Sequence, residues 1–166
     1  MRLIKTQFLG VHGLEAPNYF TYNSHYIEKP TEYFVRILCC NNIHWIKVSG
    51  WLKKENENFS IYDSLPRTTV NNHLGKQLGK MMTVKKENLP VIKIRVQKTQ
   101  IQSSNLWGYF ACAFATSLCF GISVESIAFN EQKLSSHWLK YIKKWKSVLM
   151  FPYAVKISKN NTIEKY

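Results

Sequence analysis

Residues 105–121 read NLWGYFACAFATSLCFG, and this stretch decides the fold. From Trp107 onward the segment is apolar almost all round. Phe110, Phe114 and Leu118 fall in one row at helical spacing, and Ala111, Ala115 and Cys119 in another. Such a helix is buried in the middle of a domain rather than laid on its surface. Gly121 follows the last apolar turn, where glycine commonly closes a helix. Trp107 stands at the helix entrance, where the positive end of the helix would lower the pKa of a thiol.

Working outward, Tyr33–Cys40 is an apolar run ending at Asn41 and Asn42, a strand followed by a turn. His44–Trp51 alternates, with Trp45, Lys47, Ser49 and Trp51 on one side and Ile46, Val48 and Gly50 on the other. That pattern predicts a second strand. Polar residues 53–58 predict a turn, and Phe59–Asp63 a third strand closing at Ser64, Leu65 and Pro66. Val70, Leu74, Leu78, Met81 and Met82 recur at helical spacing over Thr69–Met82, with Thr69 available as a cap. Val91–Val96 alternates as a further strand. Glu131–Trp145 predicts a helix with Leu134, Trp138, Leu139 and Ile142 on its apolar face. Residues 1–33 read as loop.

These segments bring together residue types that cysteine hydrolysis uses. A thiol attacks a carbonyl as the thiolate and needs a base within hydrogen-bond reach. His44 is a candidate base. Asp63, ending an apolar run, could fix the imidazole tautomer, and a glutamine amide before the helix could hold an oxyanion. Trp107 cannot complete the set. Its indole donates one hydrogen bond and offers no nucleophilic lone pair.

With the motifs in place, the chain resembles the ubiquitin-like-protein proteases of the Ulp/SENP (SUMO protease) type, and most of all a divergent animal branch. The resemblance rests on His44 and Trp45 opening a strand, Asp63 within IYDSL, and a glutamine-rich segment running into residues 108–121. Gln7 and Phe8, Gly13 and Leu14, and Met150–Pro152 add to it, so that it covers roughly residues 5 to 153. It implies an α+β, papain-like fold with a mixed central sheet, flanking helices and a buried helix after the nucleophile position. It also implies Trp45 as an aromatic lid over the slot for a substrate's Gly-Gly tail.

The departure from the family lies at the helix entrance, where Asp-Cys-Gly is expected. If Leu106 is an insertion, Asn105 replaces the Asp, Trp107 replaces the Cys, and Gln100 takes the oxyanion role. Without an insertion, Leu106 and Trp107 are the replacements, and Gln100 and Gln102 straddle the expected place. Gln100 is favoured. The resemblance then implies a catalytically dead peptidase domain that binds a ubiquitin-like protein or another acidic surface. The alternative is an active cysteine isopeptidase using another thiol. Cys112 suits that role poorly, being five residues beyond Trp107 and about 140° around the helix.

Composition sets the remaining bounds. At 166 residues, 45% hydrophobic and 14% aromatic, one domain has ample material for a core. Residues 1–153 are read as that domain and residues 154–166 as a frayed basic tail. The net charge of +13, from 23 Lys and Arg against 10 Asp and Glu, steers acidic partners. The lysines are spread out, so a nucleic-acid module is possible but not favoured. Four irregularly spaced cysteines read as reduced, and no His/Cys cluster has zinc spacing. No metal, cofactor, signal peptide or membrane span is expected, and the expected location is intracellular, nuclear or cytoplasmic.

Overall fold

The computed structural model describes residues 2–14, 32–40, 44–53, 56–65, 72–80, 93–103, 105–144, 154–157 and 163–165. Helix α1 (Arg2–Gln7) is followed by three antiparallel strands, β1 (Tyr33–Cys40), β2 (His44–Lys53) and β3 (Asn56–Tyr62). Helix α2 (Asn72–Lys80) lies between β3 and β4 (Lys93–Gln97), which pair in parallel. Parallel neighbours need such a crossover, whereas β1, β2 and β3 follow one another as hairpins. The sheet order is β1-β2-β3-β4. After it come α3 (Trp107–Cys119), a 3-10 turn at Val124–Ser126, β5 (Ile127–Phe129) and α4 (Glu131–Lys144). β5 pairs with β6 (Ala154–Ile157), and β6 with β7 (Ile163–Lys165).

The four-stranded sheet is covered on both faces. On one, Leu74 and Leu78 of α2 pack against Phe34, Leu38, Ile46, Val48, Phe59 and Ile61. On the other, Phe110, Ala113 and Phe114 of α3 meet Val35, Ile37 and Tyr62, with Phe129, Leu134 and Trp138 beyond them. Each fully buried Phe or Leu contributes about 1.5–3 kcal/mol relative to exposure. The strong apolarity of α3 therefore has a direct cause: it is sandwiched between the sheet and α4. The fold is α+β with a mixed sheet and flanking helices.

Gly121 closes α3 as expected from the sequence. Its φ of +74° is left-handed, the Ile122 N–H donates to Ser117 O at 2.9 Å, and the Gly121 N–H donates to Leu118 O at 3.0 Å. These two bonds satisfy carbonyls that a helix end otherwise leaves free. A Cβ at Gly121 would meet nothing within 4 Å, so only backbone strain opposes a side chain there. Gly121→Ala should lower stability by about 1 kcal/mol, read as an earlier midpoint in urea unfolding. An unchanged midpoint would contradict this.

Several expectations are corrected. Residues 1–33 contain a helix, α1, too short for a periodic signal, whose Ile4 is 1% exposed in the core. Residues 56–58, read as turn, extend β3. On α4, Leu134 and Trp138 are buried but Leu139 and Ile142 are more than half exposed. The helix is rotated so that His137 joins the buried face instead. The segment read as a frayed tail carries β6, paired with β5, and β7, paired with β6, through backbone bonds that composition does not reveal. Thr69, Met81, Met82, Val91, Trp145 and Met150–Pro152 lie outside the described residues.

Candidate active site

His44 opens β2, and Asp63 directly follows β3, so the antiparallel pairing of the two strands brings both to one end of the sheet. His44 Nε2 and Asp63 Oδ1 are 2.7 Å apart, with side chains 17% and 2% exposed. Asp63 Oδ1 also accepts the Leu65 N–H at 2.8 Å, a short local turn of the kind aspartate favours. One oxygen thus serves both the turn and the imidazole. Because a carboxylate only accepts, the proton in the pair sits on Nε2, and Nδ1 of a neutral ring keeps its lone pair free. Nδ1 is buried and has no hydrogen-bond partner among the described residues.

Trp107 packs against this ring. The His44 and Trp107 centroids are 6.5 Å apart with planes at 77°, an edge-to-face arrangement. Trp107 is the first residue of α3, and Leu106 before it provides no side-chain cap for the helix N-terminus. The imidazole, the carboxylate that holds it and a helix entrance therefore converge. What they surround is an indole, which cannot attack a carbonyl.

The glutamines separate clearly. Both amide atoms of Gln100 are engaged with the Phe129 backbone: Oε1 accepts its N–H at 2.6 Å, and Nε2 donates to its carbonyl at 3.0 Å. Gln102 instead lies beside the residue that follows Asp63. Its Oε1 accepts from Ser64 Oγ at 3.2 Å, and its backbone N–H donates to Ser64 O at 3.0 Å. The Thr99 hydroxyl donates to Asp63 O, binding the same loop to the same turn. Glu131 holds the far end, accepting from the Ser103 N–H at 3.1 and 3.2 Å and from its hydroxyl. Thr99, Ser64 and Glu131 carried no sequence signal, since their role depends on the path of the loop.

Beside Trp107 lies an apolar cavity of about 470 Å³, lined by Ile37, Trp45, Tyr109, Cys112 and Trp138 among others. Trp45 is half-buried and packs against the core. Burial pushes the Cys112 thiol up to about 11. Cys119, further along α3, is also held up to about 11 by burial, opposed by nearby Lys47. A thiol with such a pKa is about one part in ten thousand thiolate at pH 7. Among the described residues, no cluster of three or more His, Cys, Asp or Glu could hold a metal ion, and no helix is long and apolar enough to cross a membrane.

No protein-family model matches the chain, and no curated protein matches it. Solved structures do. The SUMO protease Ulp1 with its catalytic cysteine oxidised to a sulfonic acid superposes with a TM-score of 0.54, at 13% identity, over 81% of this chain and 67% of that one. The fold is that of the Ulp1 protease domain. The sulfinic-acid form of Ulp1 gives the same TM-score at 12% identity. The C-terminal Ulp1 protease domain in complex with Smt3, the yeast ortholog of SUMO, gives 0.52 at 13% identity, over 75% of this chain and 64% of that one. The present chain thus spans about two thirds of the Ulp1 chains it matches. That first Ulp1 structure holds an oxidised catalytic cysteine; in the present chain the residue packed on the His44 ring is Trp107.

Proposed function

We propose that this domain is a Ulp-type cysteine peptidase that has lost its chemistry and keeps a binding role toward a ubiquitin-like protein. The observation that carries this reading is the His44–Asp63 pair at 2.7 Å, with Nδ1 buried and unpartnered and an indole packed on the ring. A base oriented by a carboxylate and left without an acid to deprotonate fits a site from which a thiol has been lost. In this reading Gln102, not Gln100, is the remnant oxyanion donor. Its amide is tied to the Asp63–Ser64 turn, while that of Gln100 is consumed by Phe129. The alternative, an isopeptidase using another thiol, is disfavoured for Cys112 and Cys119 by their raised pKa values.

The partner follows from the fold and the charge. One structural neighbour is held with Smt3, and the net charge of +13 favours an acidic surface. Trp45, half-buried on the cavity wall, is the natural anchor, because tryptophans desolvated in a pocket carry much of an interface's energy. The purified chain should neither turn over a fluorogenic SUMO substrate nor be labelled by a SUMO vinyl sulfone. It should bind SUMO in calorimetry, with Trp45→Ala weakening binding about ten-fold. Turnover that disappears in His44→Ala would instead establish the other-thiol reading. Absence of binding would remove the partner.

A further inference from the structure

The two edges of the four-stranded sheet are treated differently. At the β1 edge, the His12 N–H donates to Tyr33 O at 3.2 Å and the Val35 N–H donates to His12 O at 2.9 Å, so the N-terminal segment covers part of that edge. At the other edge, β4 pairs with β3 on one side and has no strand on its second side among the described residues. An edge strand presents N–H and C=O groups that another extended chain can pair with.

The side chains of this edge are cationic. Lys93, Arg95 and, just beyond the strand, Lys98 are exposed, and none is ion-paired among the described residues. Lys93 and Arg95 share a face of the strand, opposite Asn58 and Ser60 of β3. These four residues, with Phe59 and Ile94, border a polar concavity of about 480 Å³. Val96 is 51% exposed, an apolar contact point beside the charges. Cations on an edge reject a second copy of the same strand by like-charge repulsion. The same cations attract a strand bearing carboxylates.

From this geometry we infer that β4 is a docking edge for an extended acidic peptide, which adds to the sheet as a fifth strand with carboxylates at alternate residues reaching Lys93 and Arg95. Alternate residues of a strand recur at about 6.6 Å, so an acidic side chain at every second position matches the two cations in register. Main-chain bonds supply affinity in such an addition, and the alternating side chains supply selectivity. The docking edge does not depend on whether Trp107 has replaced a nucleophile.

The test uses the whole chain and a fluorescein-labelled octapeptide alternating glutamate with valine, read by fluorescence polarisation and by amide hydrogen exchange. The peptide is expected to bind, to slow exchange within residues 93–97, and to weaken by about ten-fold in Lys93→Glu with Arg95→Glu. A version of the peptide with prolines at its central positions, unable to donate to the ladder, should bind about ten-fold more weakly to the unaltered protein. Failure of the octapeptide to bind overturns the inference. So does equal binding by the proline version, or by the charge-reversed protein with its circular dichroism unchanged. An oligodeoxythymidine of equal charge that binds as well, with no protection of the β4 amides, would make the patch a nucleic-acid surface instead. SUMO labelling and SUMO binding are separate readouts, so loss of this edge and loss of the proposed peptidase ancestry remain distinguishable.

Discussion

Replacing Trp107 with cysteine and Leu106 with aspartate should yield a domain that a SUMO vinyl sulfone labels covalently, faster than it labels the unaltered chain. The substitution puts a thiol at the first position of α3, where the unsatisfied N–H groups of the helix favour the thiolate. His44 is already oriented by Asp63 at 2.7 Å, and its Nδ1 has no other partner among the described residues to displace. Leu106 currently leaves the helix uncapped, and an aspartate there supplies a cap worth about 1 kcal/mol. That gain offsets part of the packing lost with the indole. Adding His44→Ala to the double variant should slow labelling by about 10²- to 10⁴-fold, the usual contribution of a positioned base. A double variant that is folded and binds SUMO, yet is labelled no faster than the unaltered chain, would sink the view of His44 and Asp63 as a catalytic remnant.

The second large effect concerns stability. Lys47 lies in the middle of β2, opposite Ile37 and Tyr62, and is fully buried beneath α3. Its Nζ has no hydrogen-bond partner among the described residues and stands 3.9 Å from the centroid of the Tyr62 ring. Burial pushes its pKa well below the ordinary lysine value, with Cys119 acting weakly the other way. The unfolded chain holds this proton up to about pH 10.4, while the folded chain releases it at much lower pH. Across that window the unfolded state binds more protons, so this lysine costs stability as pH falls and costs nothing once pH passes the unfolded value.

Lys47→Met keeps the volume and removes the penalty. It should raise stability at pH 7 by about 1–4 kcal/mol, the range seen when buried charged groups are replaced by apolar ones. Measured by urea unfolding across pH, the gap between variant and unaltered protein should narrow toward pH 10. Comparing the two proteins cancels the Cys112 thiol, whose raised pKa makes stability fall above its unfolded value of about 8.5, whereas Cys119 loses its interaction with Lys47 in the variant. A Lys47→Met protein that is less stable at pH 7 would show that the ammonium has a stabilising role in the core.

What the sequence revealed, and what it concealed, follows from the range of the interactions involved. His44 and Asp63 were legible because each ends a strand, and consecutive antiparallel strands share an end. Trp107 and α3 were legible because a helix buried on most of its faces has an unmistakable composition. Lys47 was not, because alternation assigns it a face without saying what covers that face. Gln100 and Gln102 could not be ranked from spacing. Their separation depends on where the loop meets Phe129 and Ser64, residues distant in sequence. β5, β6 and β7 span only three or four residues each, too few for a period to register.

Asp63 Oδ1 does double duty. Since that oxygen also holds the Leu65 amide, removing the aspartate would loosen the bend after β3 as well as free the imidazole. An aspartate so placed is also a mason's keystone, and its presence in a sequence does not by itself tell whether bonds are being cut.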